Sequence, residues 1–346
     1  MTQMKNDLPE KGNGGKETLD KDIYRVIKAH RDRFLVRAEE KELYCVLTGA
    51  MRFKEARPVV GDEVRITENP YGDSLIREIL PRRTVFCRPD RSGHGDAFVK
   101  TLRTQPLAAN MDCVFIITSL NHDFSPGRIA RYAAMTLSGG AKPVAVLTKA
   151  DLCPDPEEME KKVTSLCTGL EAVAVSALTG YGLERLKKYC LPGTVIALLG
   201  SSGAGKSTLV NTLAGREVMV TGGIREEDSK GRHTTTHREM IEADGVFFID
   251  TPGLREIGVM DAEEGIAGTF SDIEELTKRC AFSNCGHRSE PGCAVLEALD
   301  NGSLDPGRWE TYLRLKKENS WSKQKKNEMM MNIAMHRRSI SKTGRK

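Results

Sequence analysis

Gly200-Ser201-Ser202-Gly203-Ala204-Gly205-Lys206-Ser207 fits the pattern G-x-x-x-x-G-K-[ST]. Glycines let the backbone wrap closely around phosphates with its N–H groups turned inward. Lys206 then reaches the β- and γ-phosphates, and Ser207 offers a hydroxyl to Mg²⁺. The segment follows the apolar run Val195–Leu199 and leads into the helix-like Thr208–Ala214, which is the strand-loop-helix setting a P-loop requires. Gly200 to Thr208 are therefore the expected phosphate-binding residues. A chance glycine-rich turn is the bland alternative, and the flanking elements argue against it.

Three further motifs stand at the ends of apolar runs. Asp250-Thr251-Pro252-Gly253 follows Gly245–Ile249 and has the D-x-x-G form of a γ-phosphate switch: Asp250 can hold the magnesium shell, and the Gly253 N–H can sense the phosphate. Thr148-Lys149-Ala150-Asp151 resembles the base-recognition motif N-K-x-D, and Ser176-Ala177-Leu178 resembles the S-A-x motif that supports it. Asp151 can accept from guanine N1–H and N2–H, a pair of donors adenine lacks. Thr148 replaces the usual Asn, so one polar contact to the base differs. In GTPases of ordinary order the P-loop comes first and these two motifs last, whereas here both precede Gly200: the chain reads as circularly permuted.

Between P-loop and D-T-P-G lies the polar stretch 222–237, containing Gly231-Arg232-His233-Thr234-Thr235-Thr236. It reads as a switch loop in which one of Thr234, Thr235 and Thr236 closes over Mg²⁺ and the γ-phosphate, Thr235 being the candidate. Leu254 occupies the position where many GTPases place a water-orienting glutamine. His233 is the nearest polar candidate for base or water positioner; a solvated loop histidine is the alternative.

Cys280, Cys285, His287 and Cys293 supply three thiolates and an imidazole within fourteen residues, enough for one closed, structural, tetrahedral Zn²⁺. Buried free thiols are the competing reading. The other cysteines of the nine, Cys45, Cys87, Cys113, Cys153, Cys167 and Cys190, are scattered and read as core or partly exposed thiols.

These residues need elements to hold them. A chain of 346 residues implies two to three domains, and 39% apolar with 29% charged residues is the balance of a globular protein. No apolar run approaches the ~18 residues of a membrane span, and the first residues lack a secretory apolar core, so a cytoplasmic location without membrane attachment is expected. Residues 1–20 read as a disordered leader. Residues 21–85 alternate in short strands between Gly, Pro and Asn turns, suggesting a small β-barrel: an OB-fold, whose usual ligands are oligonucleotides, or an SH3-like or purely structural barrel. Residues 86–268 are expected to form a central domain that from about Asn110 alternates strands with helices, the signature of a parallel α/β sheet, with strands expected at 113–118, 143–148, 171–176, 194–199 and 245–250. Each ends at or near a motif, where open α/β sheets bind ligands. Residues 269–346 form a third region, a Cys/His-rich segment followed by a basic helical tail. From Gly307 to Lys346 there are 12 Lys and Arg against 3 Asp and Glu, a local +9, while the other 306 residues carry 40 against 45. Such a tail attracts polyanions, unless it is only a solvated helix.

The combination is similar to the circularly permuted GTPases of small ribosomal subunit biogenesis, the RsgA (YjeQ/YloQ) family. The resemblance covers about residues 22–320. It rests on the permuted order, Gly231–Thr236, the Cys-Cys-His-Cys cluster with Glu290-Pro291-Gly292-Cys293, and Gln105-Pro106-Leu107-Ala108-Ala109-Asn110. It implies an N-terminal OB-fold, a central α/β P-loop GTPase and a C-terminal, mostly helical zinc domain. It further implies a monomer that binds the small subunit and its rRNA, takes GTP/GDP with Mg²⁺, hydrolyses GTP faster on the subunit, and uses His233 in catalysis. Two features depart from the pattern: Thr148, and the long stretch Asp90–Thr104, a rearranged linker or RNA-contacting loop. Gly203 stands where potassium-using relatives place asparagine, so potassium activation is not expected. A nucleotide-gated RNA-binding module with little turnover is the alternative function.

Overall fold

The structure, a computed structural model, describes residues 22–53, 57–89, 104–121, 123–221, 238–250 and 261–343. The leader, most of the 90–104 stretch, His233, Thr235 and Gly253 lie outside the described residues.

The first strands are β1 (Ile23–Ala29), β2 (Phe34–Ala38), β3 (Lys41–Leu47), β4 (Glu63–Thr67) and β5 (Ser74–Ile79), with helix α1 (Gly49–Phe53) between β3 and β4. Alternating side chains point inward, so Val26, Phe34, Val36, Cys45, Val64 and Ile76 form a private core. β1 pairs with β2, β2 with β3, β3 in parallel with β5, β5 with β4, and β4 back with β1. This closes a five-stranded barrel of OB topology. Next, β6 (Val85–Pro89) and β7 (Thr104–Ala109) form an antiparallel ribbon, so the flanks of the 90–104 stretch are paired strands.

The α/β layer contains β8 (Cys113–Ser119), β9 (Lys142–Thr148), β10 (Glu171–Ala174), β11 (Val195–Leu199), β12 (Arg238–Ala243) and β13 (Val246–Asp250). The order is β10-β9-β8-β11-β13-β12, parallel except for β12, which forms a hairpin with β13. β8 is buried along its whole length, as a central strand covered on both faces must be. The helices here are α2 (Pro126–Ser138), α3 (Pro156–Leu166), α4 (Leu183–Leu186) and α5 (Lys206–Ala214). β12 also pairs with β1 of the barrel, Lys28 opposite Glu239 and Ala29 opposite Arg238, so barrel and α/β layer share an eleven-stranded sheet.

A second junction locks the barrel against β7. The Ala109 N–H donates to Val60 O at 3.0 Å, Asn110 Nδ2 donates to Gly61 O at 3.0 Å, and Asn110 Oδ1 accepts from the Arg83 N–H at 2.9 Å. Beside it, fully buried Asp62 accepts from Arg82 at 2.7 and 2.8 Å and from the Val59 N–H at 2.8 Å, which satisfies a charge that would otherwise be costly there.

The C-terminal region comprises α6 (Glu263–Thr269), α7 (Ser271–Lys278), α8 (Ala294–Asp300) and α9 (Pro306–Thr343). α6 lies so close to α2 that a Cβ on Gly265 would stand 1.8 Å from Ala134 O. α9 is anchored by Arg131–Glu318 at 2.6 Å, by the Ala262 N–H on Asn319 Oδ1 at 3.1 Å, and by Arg308, which bonds Asp272 and donates to Leu166 O at 3.0 Å. No described helix is long and apolar enough to cross a membrane.

Candidate functional site

β11 delivers the phosphate-loop residues at its carboxyl end. Gly203 and Gly205 take φ of +78° and +91°, left-handed values that only glycine adopts without strain. Gly200 backs onto β8 so closely that a Cβ would lie 2.4 Å from Ile117 O. α5 begins at Lys206, so its unpaired N–H groups and positive dipole end face the loop, a ready anion site. Lys206 Nζ donates to Gly200 O at 3.0 Å and Ser201 O at 2.8 Å, spanning the mouth of the loop. Ser202, Gly203 and Thr208 are exposed, Ser207 half-buried and Ala204 buried.

β9 and β10 end beside this loop. Thr148 is buried, and its Oγ1 donates to Ala204 O at 2.6 Å. Lys149 takes a left-handed φ of +59° and places Nζ 3.1 Å from Gly203 O. The Ala150 N–H bonds Val175 O at 3.1 Å, leaving Asp151 at the rim. Ser176 donates from Oγ to Asp151 Oδ1 at 2.5 Å and accepts from the Thr179 N–H at 3.2 Å; Ala177 follows it, half-buried. Asp250 closes β13, in register with Leu198 of β11. The base-motif residues, the P-loop and Asp250 thus converge on the carboxyl ends of neighbouring strands although they lie far apart in sequence.

One participant was not among the sequence candidates. The Asp123 carboxylate accepts from Ser201 Oγ and from Arg128 Nη1, the latter at 2.7 Å, clipping the loop after β8 to the P-loop. Its signal was positional: an acid just beyond the carboxyl end of the strand next to β11.

The Cys/His cluster forms a second site. The donor atoms of Cys280, Cys285, His287 and Cys293 all lie within 4.8 Å of one another. Cys280 Sγ stands 3.9 Å from Cys293 Sγ, and His287 Nδ1 stands 3.5 and 3.4 Å from the two sulfurs. Tetrahedral zinc with ordinary bond lengths gives edges of about 3.8 Å between sulfurs and about 3.6 Å between sulfur and nitrogen. Burial works against the Cys280 thiolate, but the Ala294 and Val295 N–H groups opening α8 hold that thiol below its usual value. The His287 N–H favours the Cys285 thiolate, yet burial and the neighbouring thiols push Cys285 up to about 11. A dication favours the thiolate form at both Cys280 and Cys285, and the donor spacing matches a tetrahedron, so the donor set fits zinc. Glu290 braces the loop by accepting from the N–H groups of Gly286, Arg288 and Ser289, which hold its carboxyl at about 2.

The RsgA GTPase family model matches residues 79–260, and a small ribosomal subunit biogenesis GTPase, RsgA 2 of Listeria monocytogenes, is 40% identical over 306 residues, 88% of this chain and 83% of its own. The chain belongs to the RsgA GTPase family. It is a GTP hydrolase. The RsgA protein of Methanosarcina acetivorans is likewise 40% identical, over 86% of this chain and 82% of its own. Among solved structures, YjeQ from Thermotoga maritima superposes with a TM-score of 0.61 at 26% identity, covering 85% of this chain and 96% of that one. YloQ, described as a circularly permuted GTPase, shares the fold with a TM-score of 0.59 at 22% identity, over 91% of this chain and 99% of its own. An RsgA-family chain needs Mg²⁺ with its GTP; a hydroxyl, Ser207, stands at the start of α5 and a carboxylate, Asp250, at the end of β13.

Proposed function

We propose that this RsgA-family GTPase acts in late maturation of the small ribosomal subunit, gripping rRNA according to its nucleotide state and hydrolysing GTP faster when bound. The carrying observation is that the P-loop and base-motif strands share one continuous sheet with an OB barrel, in a chain whose relatives are named for small-subunit biogenesis. Gly200 to Thr208 hold the phosphates, with Lys206 on the β- and γ-phosphates and Ser207 on Mg²⁺. Thr148, Lys149, Ala150, Asp151, Ser176 and Ala177 form the base site. Asp250 and Gly253 complete the γ-phosphate end, Thr235 closes over the metal, and His233 orients or deprotonates the attacking water. Cys280, Cys285, His287 and Cys293 hold one structural zinc that shapes the C-terminal module.

The barrel and the basic part of α9 supply the RNA contacts, so binding should weaken steeply with salt. The protein works as a cytoplasmic monomer that cycles between GTP and GDP. The test is GTP turnover with and without purified small subunits, at low and high salt, with ATP as control. Stimulation that is GTP-selective and salt-sensitive supports the reading. Turnover indifferent to small subunits at every salt concentration sinks the ribosomal part. His233→Ala should lose turnover and keep GTP binding.

A further inference from the structure

Asparagine, the usual first residue of the base motif, carries two amide donors and a separate acceptor; a threonine hydroxyl has one proton to give. Thr148 is 6% exposed, and its Oγ1 lies 2.6 Å from Ala204 O and 3.4 Å from Thr118 O. Both neighbours are carbonyls, which only accept, so the hydroxyl proton stays within the protein whichever it points to. The rest of the side chain packs beneath the phosphate loop: a Cβ on Gly205 would sit 3.5 Å from Thr148 Oγ1 and 3.6 Å from its Cβ. Lys149 Nζ makes the parallel bond to Gly203 O at 3.1 Å, so consecutive residues of the motif tie β9 to the loop.

Guanine shows a donor edge, N1–H with N2–H, and an acceptor edge, O6 with N7. Asp151 can only accept, and the bond from Ser176 occupies one lone pair of Oδ1, leaving the carboxylate free to take both donors. The acceptor edge needs a donor, and Thr148 has none to spare. We infer that Thr148 is a positioning residue that braces the phosphate loop and leaves purine N7 unread, so that the site accepts 7-deazaguanine nucleotides as readily as guanine nucleotides. This rests on the reading that GTP binds between Asp151 and the P-loop. Adenine stays excluded, because its N1 is an acceptor facing the Asp151 carboxylate.

The experiment is equilibrium competition on the full chain with Mg²⁺, displacing a fluorescent guanosine diphosphate with GTP, 7-deaza-GTP, ITP and ATP. 7-Deaza-GTP should match GTP within about threefold, whereas ITP, which lacks the N2 donor to Asp151, should bind roughly five- to twentyfold more weakly. Thr148→Val should weaken GTP and 7-deaza-GTP by a common factor of about five to thirty, and Thr148→Ser should restore both. A loss of tenfold or more for 7-deaza-GTP on the unmodified protein would show that N7 is read, and a Thr148→Val effect confined to GTP would show that the hydroxyl reads it; either result overturns the inference. Folded protein that binds no guanine nucleotide would overturn the underlying nucleotide-site reading instead.

Discussion

Removing the metal from the Cys/His cluster should unfold that segment and leave nucleotide binding in place. Residues 280–293 make up fourteen positions, and none from 281 to 292 is buried. Ordering fourteen residues costs about 14–28 kcal/mol at roughly 1–2 kcal/mol each. The segment's one buried side chain, Cys293, returns about 1–2 kcal/mol through apolar burial. A structural zinc is worth about 10–16 kcal/mol in apparent binding free energy, the one contribution of comparable size. The reporter is built in. Trp309 is 9% exposed, lies edge-on to His287 at 5.7 Å and stacks on Tyr312 at 5.4 Å, while the chain's other tryptophan, Trp321, is 58% exposed. In a Trp321→Phe background, elemental analysis should find one zinc per chain. Chelation under reducing conditions should shift the Trp309 emission to that of a solvated indole, with GTP affinity changed by less than about twofold, since neither site contributes a ligand to the other. Complete metal removal with unchanged Trp309 emission, or protein that never carries metal, would refute this reasoning.

Asp151→Asn should weaken GTP binding by about 10–100-fold, because two charge-assisted hydrogen bonds become at best one neutral one, and should raise affinity for XTP, whose O2 accepts; equilibrium titration with both nucleotides checks this. Gly61→Ala should destabilise the barrel junction by about 2–5 kcal/mol in denaturant unfolding, since φ is +92° and the added Cβ would stand 2.0 Å from Ala109 O; a loss under 1 kcal/mol would mean the junction yields. Glu171 is held at about 2 by hydrogen bonds from Lys142, Lys188 and Tyr189, so its carboxylate stabilises the fold above the unfolded value near ~4.3, and that contribution is lost as pH falls toward 2. The urea midpoint gap between the unmodified protein and Glu171→Gln should therefore be level above about pH 5 and close between about pH 4 and 2; a gap independent of pH would show that the ion pairs contribute nothing.

The strands that end in motifs were legible because their side chains face a core on both sides, leaving uninterrupted apolar runs such as Val195–Leu199. β12 was not among the expected strands. Its residues, Arg238-Glu239-Met240-Ile241-Glu242-Ala243, lie between β13 and the barrel and keep charges that pair across strands, Glu239 with Lys28 and Glu242 with Arg37. The overlooked signal was Asp244-Gly245, whose φ values of +51° and +77° make a tight hairpin turn. Site residues declared themselves where chemistry fixes both type and spacing, as at Gly200–Ser207. Asp123 was silent because its role depends on β8 lying beside β11, a fact of strand order that local pattern does not contain. Thr148 was visible as a departure, but what its hydroxyl does is decided by Ala204, 56 residues away.

The pairing of β12 with β1 gives the permuted order a physical consequence. β12 is the first described element after the 222–237 stretch that carries His233 and Thr235, and β13, its hairpin partner, ends at Asp250. Arg238 sits opposite Ala29 of the barrel, so the backbone leaving the switch stretch is fixed to the barrel within one residue of that stretch's end. On the other side, α6 begins at Glu263, after the D-T-P-G segment, and packs on α2, whose first turn holds Asp123 through Arg128 and thereby Ser201 of the P-loop. The two stretches expected to respond to the γ-phosphate are therefore each anchored at one end to a module outside the nucleotide cleft: the barrel for one, the C-terminal helices for the other. A partner that grips both modules constrains the distance between those anchors, and with it the geometry available to the switch residues. The stimulation proposed above can act through these two anchors, with no catalytic residue from the partner.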